Sequence, residues 1–138
     1  MLRRAAGRVM ATSSSLKGLR ILVVEDEAII AFNIQGMLES FGCGVVEVAS
    51  NLHRGLAIAC NETARLDAAV LDINLGGEQV YPVAEHLRMR GVPFIFSTAY
   101  GRDARAPSFA NVPTLNKPYP PEDLEDLLVS VLLEARRR

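Results

Sequence analysis

The sequence predicts an open, doubly wound α/β domain, and three observations carry that expectation. Short Val-, Ile- and Leu-rich runs recur five times between Leu19 and Asn116, segments with helical spacing of apolar residues fall between them, and helix-stop or turn residues mark the joins. Strands of nearly continuous aliphatic character are those buried on both faces, and alternation of strands with helices requires right-handed crossovers into a parallel sheet. A chain of 138 residues has the commonest size of one domain, so a single core and no second module is expected, over residues 19–136.

The elements follow in order. RILVV (20–24) is the first strand, after which Ile30, Ile34, Met37, Leu38 and Phe41 share one helix face that Gly42 stops. GVVEV (44–48) is the second strand, and Asn51 is a fitting N-cap for a helix carrying Leu52, Leu56 and Ile58 or Ala59. AAVLD (68–72) is the third, followed by Val80, Val83, Ala84 and Leu87 at helical spacing up to Gly91. VPFIFS (92–97) is the fourth. A short fifth strand around Thr114–Asn116 precedes a helix that opens with Pro120, Pro121 and Glu122 and buries Leu124, Leu127, Leu128, Val131 and Leu132. The connection GRDARAPSFANVP (101–113) breaks the rhythm, since Pro107 and Pro113 interrupt any periodic apolar face. The fourth helix is therefore expected to be short, irregular or mobile.

Composition narrows the function classes. A formal charge of -1 gives no electrostatic footprint for direct nucleic-acid binding, and no apolar run approaches the roughly 20 residues of a membrane helix. Residues 1–18 differ from the rest: Arg3, Arg4 and Arg8 and a Thr-Ser-Ser-Ser run lack the apolar core of a secretory signal. They are expected to form a flexible or loosely docked arm, with Met10 an alternative start. The two cysteines, Cys43 and Cys60, lack metal-type spacing and are expected to be buried free thiols of a cytoplasmic protein.

In an open parallel sheet, ligands bind beyond the carboxyl ends of the strands, where strand order reverses. The residues that follow each apolar run are Glu25, Asp26 and Glu27 in VVEDE, Asp72, then Ser97 and Thr98 in FSTAY, and Lys117 in NKPY. Taken singly, each has a plainer role. The acids at 25–27 can cap the first helix, Asp72 can cap a strand end, Thr98 can be a turn hydroxyl and Lys117 a solvated lysine. Together they place acids, a hydroxyl and an ammonium at one edge. If the first and third strands are neighbours, their carboxylates converge and need a cation, and hard oxygen ligands suit Mg2+ or Mn2+.

VVEDE (23–27), LDINL (71–75), FSTAY (96–100) and NKPY (116–119), in this order, resemble the receiver domains of two-component response regulators. The resemblance covers about residues 18–136 and implies a flavodoxin-like sheet of order 2-1-3-4-5. It further implies that Asp72 is the phosphoacceptor, that Asp26 ligates Mg2+ (or Mn2+) directly with Glu25 in support, and that the Asn74 carbonyl is the third protein ligand. Thr98 would bind the phosphoryl oxygens, Lys117 would pair with Asp72 and then with the phosphoryl group, and the Lys117–Pro118 peptide would be cis. The implied phosphodonor is a histidine kinase or histidine phosphotransfer protein in a phosphorelay, and output passes to a downstream protein partner.

Two positions depart from the common pattern. Glu25 stands where many receivers have Asp, and Thr114 stands at a switch position that is usually Tyr or Phe. FSTAYG and the altered 101–113 segment are similar to a sub-group of stand-alone receivers with a Phe-x-Thr-Gly/Ala-Tyr signature, which makes Tyr100 a candidate for tuning phosphoryl lifetime and for signalling. Two other functions compete with a phosphorylated switch: a degenerate receiver acting as a phosphorylation-independent interaction module, and a small Mg-dependent phosphatase with an aspartyl nucleophile. The phosphatase wants a second acid two residues after the nucleophile, where this chain has Asn74. No enzyme activity is expected beyond the protein's own phosphorylation and dephosphorylation.

Overall fold

The computed structural model describes residues 15–99 and 105–137. In chain order these form β1 (Arg20–Val24), α1 (Ala28–Ser40), β2 (Val45–Ala49), α2 (Leu52–Cys60), β3 (Ala68–Asp72), α3 (Tyr81–Met89), β4 (Phe94–Thr98), β5 (Thr114–Asn116) and α4 (Pro121–Arg136). A small antiparallel ladder, Asn74–Leu75 against Glu78–Gln79, sits between β3 and α3. A single 3-10 turn, Pro107–Phe109, lies between β4 and β5.

All five strands are parallel, in the order β2-β1-β3-β4-β5 that the resemblance implied. Alternate residues along each strand feed two cores. Leu22, Val24, Ala69, Leu71, Phe94 and Phe96 pack beneath α2 and α3. Ile21, Val23, Ala68, Val70 and Ile95 pack beneath α1 and α4. Both faces of the central strands are thereby dry, which is why β3 is buried along its whole length.

The helix boundaries have local causes. Asn51 accepts a hydrogen bond from the Arg54 amide at 2.8 Å, which satisfies one of the donors left over at the start of α2. Gly42 follows α1 with φ of 93°, a conformation in which a Cβ is disfavoured. Pro121 supplies the fixed φ that starts α4, and no amide is lost because the first-turn donors have no intrahelical partner. No helix among the described residues is long and apolar enough to cross a membrane.

Two expectations change. The segment assigned to a loose arm begins packing earlier than Leu19: Leu16 is fully buried in the α1/α4 core. The Gly18 amide donates to the Gly42 carbonyl at 2.8 Å and the Gly44 amide to the Leu19 carbonyl at 2.9 Å. The rest of that segment, residues 1–14, lies outside the described residues. Of the two thiols expected to be buried, Cys43 is buried but Cys60 is exposed on the last turn of α2, because Ala59 and Leu56 already cover the core side. Burial pushes the Cys43 thiol up to about 11.

The weak fourth helix stands as expected in length, and the described part, 105–113, is anchored. Phe109 is 3% exposed. It stacks on Tyr81 of α3 with ring centroids 5.1 Å apart and meets Phe96 edge-on at 5.9 Å, while the Arg88 guanidinium sits 4.3 Å from its centroid. The Tyr81 phenol accepts the Ala106 amide at 2.8 Å, and Arg105 donates to the Val112 carbonyl at 2.6 Å. An aromatic wedge thus replaces helical hydrogen bonding as the attachment.

Phe109→Ala is expected to lower stability by about 3 kcal/mol in urea unfolding, the cost of emptying a well-packed aromatic site; a loosely attached segment would lose less than about 1. Thiol titration with a disulfide reagent is expected to find only Cys60 reactive in the native protein and both cysteines reactive in denaturant. Equal native rates would contradict the burial of Cys43.

Candidate functional site

Order reversal occurs between β1 and β3, which are hydrogen-bonded neighbours with β2 on the far side of β1. Their carboxyl ends deliver Glu25 and Asp26 beside Asp72. One carboxylate oxygen from each of the three lies within 4.8 Å of the other two. Glu25 is 1% exposed and Asp72 7% exposed, whereas Asp26 is open to solvent at the rim.

Lys117 enters the same corner from the end of β5. Its Nζ donates to Glu25 Oε1 at 2.7 Å and lies 3.3 Å from Asp72 Oδ2. The Lys117 amide donates to the Thr98 carbonyl at 2.8 Å, which fixes the lysine beside the end of β4. Thr98 is fully buried, and the Lys117–Pro118 peptide is cis. The site thus brings together Glu25, Asp26, Asp72, Thr98 and Lys117 from four strand ends.

The electrostatics follow from the burial. Desolvation, reinforced by the Glu25 charge, pushes Asp72 up to about 7 although Lys117 pulls the other way. For Lys117, burial alone would lower the pKa, but its hydrogen bond to Glu25 and the charges of Asp72 and Glu25 outweigh it and the net direction is upward. The ammonium is held charged between two carboxylates.

The plainer alternative for the acids, side-chain capping of the first helix, is not what Glu27 does. Glu27 occupies the N-cap of α1 without a side-chain hydrogen bond, and its amide instead donates to Glu25 Oε2 at 3.1 Å. Asn74 starts the small ladder two residues after Asp72. Gly76 follows with φ of 58°, a left-handed conformation that glycine adopts without strain. Three oxygen-bearing acids with an open rim are a donor set that fits a hard divalent cation.

Two predicted positions stand apart. Thr114 lies at the start of β5, in register with Phe96, and its hydroxyl donates to the Val112 carbonyl at 3.0 Å. Tyr100 lies outside the described residues. Two residues next to the site went unassigned in the sequence: the hydroxyls of Ser97 and Tyr119 pair at 3.3 Å, tying the strand before Thr98 to the turn after Lys117. Burial raises the Tyr119 pKa. The signal was present, since Ser97 precedes Thr98 and Tyr119 closes NKPY, but a hydroxyl pair across two motifs has no linear spacing rule.

Asp72 holds its proton more tightly folded, at about 7, than at its ordinary value of 3.8. With metal removed by a chelator, its contribution to stability is greatest below about pH 4 and is lost as pH rises to about 7. Asp72→Asn is expected to raise stability by about 2 kcal/mol at pH 8 and to have little effect at pH 4. The check is urea unfolding at both pH values; equal effects would contradict the assigned burden on Asp72.

Comparison with known proteins agrees with this geometry. Residues 21–129 match the response regulator receiver domain. The chain is 30% identical over 143 residues to the phyllosphere-induced regulator PhyR of Methylorubrum extorquens strain AM1, an alignment covering 96% of this chain and 51% of PhyR. The chain therefore spans about half the length of that relative. The solution structure of SdrG from Sphingomonas melonis Fr1 superposes with a TM-score of 0.73 at 37% identity, covering 86% of this chain and 98% of SdrG. The crystal structure of the response regulator PhyR from Brucella abortus gives a TM-score of 0.78 at 26% identity, over 97% of this chain and 56% of that one. With the family match spanning most of the sheet and its carboxyl edge, this chain belongs to the response regulator receiver domain family.

Proposed function

We propose that the chain is a phosphorylation-dependent switch: Asp72 accepts a phosphoryl group from a histidine kinase or a histidine phosphotransfer protein, and the change is passed on to a downstream protein. The observation that carries this is the placement of Asp72, a carboxylate at the tip of a fully buried strand, beside two further acids and 3.3 Å from an ammonium. Phosphoryl transfer needs little from a protein besides positioning and charge stabilisation, and this corner supplies both.

In the proposed reaction an Asp72 oxygen attacks the phosphorus of a phosphohistidine. The P–O bond forms as the P–N bond breaks, and the electron pair returns to the imidazole nitrogen, which takes up a proton. Asp26, Asp72 and the Asn74 carbonyl would hold Mg2+, which when bound neutralises charge on the transferring oxygens. Thr98 donates to those oxygens, and Lys117 moves onto them as their charge grows. Asn74, in place of a second acid, leaves no side chain there to activate a water, which favours storage of the group over hydrolysis. Tyr100 is kept as a candidate for tuning that lifetime. Thr114 gives no aromatic switch; the aromatic mass of that region is Phe109 instead. The name PhyR on a relative matched over half its length supports a regulatory role without specifying this chain's partner.

The test is incubation with acetyl phosphate and Mg2+ followed by intact mass measurement. One phosphoryl adduct is expected on the wild type, none on Asp72→Asn, and adduct formation slowed about tenfold in Thr98→Ala, a loss typical of one transition-state donor or less. An unmodified wild type, or an adduct that survives Asp72→Asn, would sink the proposal and favour an interaction module that works without phosphorylation.

A further inference from the structure

A cleft of about 430 Å3 opens at the amino edge of the sheet, between the start of β4 and the last turns of α3 and α4. This is the edge opposite Asp72. Val92, Phe94, Val112 and Val131, all buried, form its apolar walls.

Its polar feature is an unfinished strand edge. The Pro93 carbonyl accepts the Ala69 amide of β3 at 3.1 Å, whereas the Phe96 amide donates the other way, to the Pro113 carbonyl at 3.0 Å. Backbone groups alternate sides along a strand, so Phe94, like Phe96, turns its amide and carbonyl away from β3. On that side the ladder starts only with Phe96 against Thr114. Carried back two residues, the same register would set the Phe94 carbonyl against the nitrogen of Pro113, which has no hydrogen to give. The Phe94 amide would face the Asn111 carbonyl, and no such bond forms. A donor and an acceptor on a residue 8% exposed are therefore aimed into a cleft that Asn111 and Pro113 also line. Buried backbone groups of this kind call for a partner.

The charge at the cleft has a sign. Arg88, on the α3 wall, lies 4.3 Å from the Phe109 ring centroid and donates to the Ser108 carbonyl at 3.3 Å. It meets no carboxylate among the described residues. Glu134, on the α4 wall, is already offset by Arg137 at 3.8 Å. The charge left without a counterion is positive.

We propose that this cleft binds an extended peptide segment of a partner protein. One of its peptide units completes the β4 edge at Phe94, since a peptide unit brings both the donor and the acceptor that the edge lacks. A neighbouring acidic side chain pairs with Arg88. Pro113 is the residue that keeps the edge open. The binding needs neither a metal nor a phosphoryl group, so it stands apart from the phosphoacceptor reading of Asp72.

The probe is a blocked tripeptide, acetyl-Ala-Asp-Val-amide, titrated into isotope-labelled full chain by NMR with no metal or phosphodonor present. A saturable downfield shift of the Phe94 amide is expected, the mark of a hydrogen bond gained. Of the two analogues in which one internal amide is replaced by an ester, one is expected to bind about tenfold more weakly, because it lacks the donor for the Phe94 carbonyl. Exchanging the probe's Asp for Lys is expected to weaken binding to a similar degree, and Arg88→Gln to abolish that preference. Pro113→Ala, which supplies an amide to the Phe94 carbonyl from within the chain, is expected to bind the parent probe about tenfold more weakly. The proposal is overturned if the Phe94 amide stays in place at about 10 mM probe, or if both ester analogues bind as the parent does. Equal binding of the Asp and Lys probes, or a folded Pro113→Ala that binds as tightly as wild type, overturns it as well.

Discussion

Two buried carboxylates facing one half-buried ammonium form the constraint on which this structure turns. An ion removed from water costs several kcal/mol unless partners replace its hydration, so Glu25, Asp72 and Lys117 are tolerated only together. Their mutual placement needs β1, β3 and β5 to end at matched heights, and a parallel sheet with right-handed crossovers guarantees this by aligning all carboxyl ends on one edge. Asp26 adds a third acid at the solvent rim, which leaves the corner with more negative charge than one lysine offsets. A site built this way is poised to take up positive charge on one side and an anionic group on the other.

The two cores serve that edge unequally. The α1/α4 face is an aliphatic layer running from Leu16 to Leu132. The α2/α3 face carries the aromatic residues Phe94, Phe96, Phe109 and Tyr81. Alternation along β4 assigns Phe96 and Thr98 to one parity and Ile95 and Ser97 to the other. The Thr98 hydroxyl, to which the proposed reaction gives a part, and the Ser97 hydroxyl that pairs with Tyr119 therefore issue from consecutive residues on opposite sides of the same strand.

The elements with strong periodicity were legible in the sequence because burial on both faces leaves an uninterrupted aliphatic run. Each of the five strands and four long helices falls where that pattern put it, within a residue or two. Convergence of Glu25, Asp26, Asp72, Thr98 and Lys117 was also legible, since strand ends of a parallel sheet meet by topology. What escaped was detail that depends on side-chain reach. Nothing in a linear string says that Glu25 extends to Lys117, that Phe109 finds Tyr81, or that Leu16, at the end of a polar Thr-Ser-Ser-Ser run, joins the core. Cys60 was misplaced for a related reason: its apolar neighbours lie on a helix turn that points it outward.

The wedge of Phe109 has a mechanical corollary. The described part of the segment between β4 and β5, residues 105–113, is fastened to α3 through the Tyr81 phenol and the Arg88 side chain as well as to β4 through Phe94 and Phe96. Helix α3 in turn is clipped to the strand end that bears Asp72 by the Val80 amide on the Ile73 carbonyl at 2.9 Å. One backbone hydrogen bond and one phenol thus connect the loop after Asp72 to residues 105–113 without passing through β5 or Thr114.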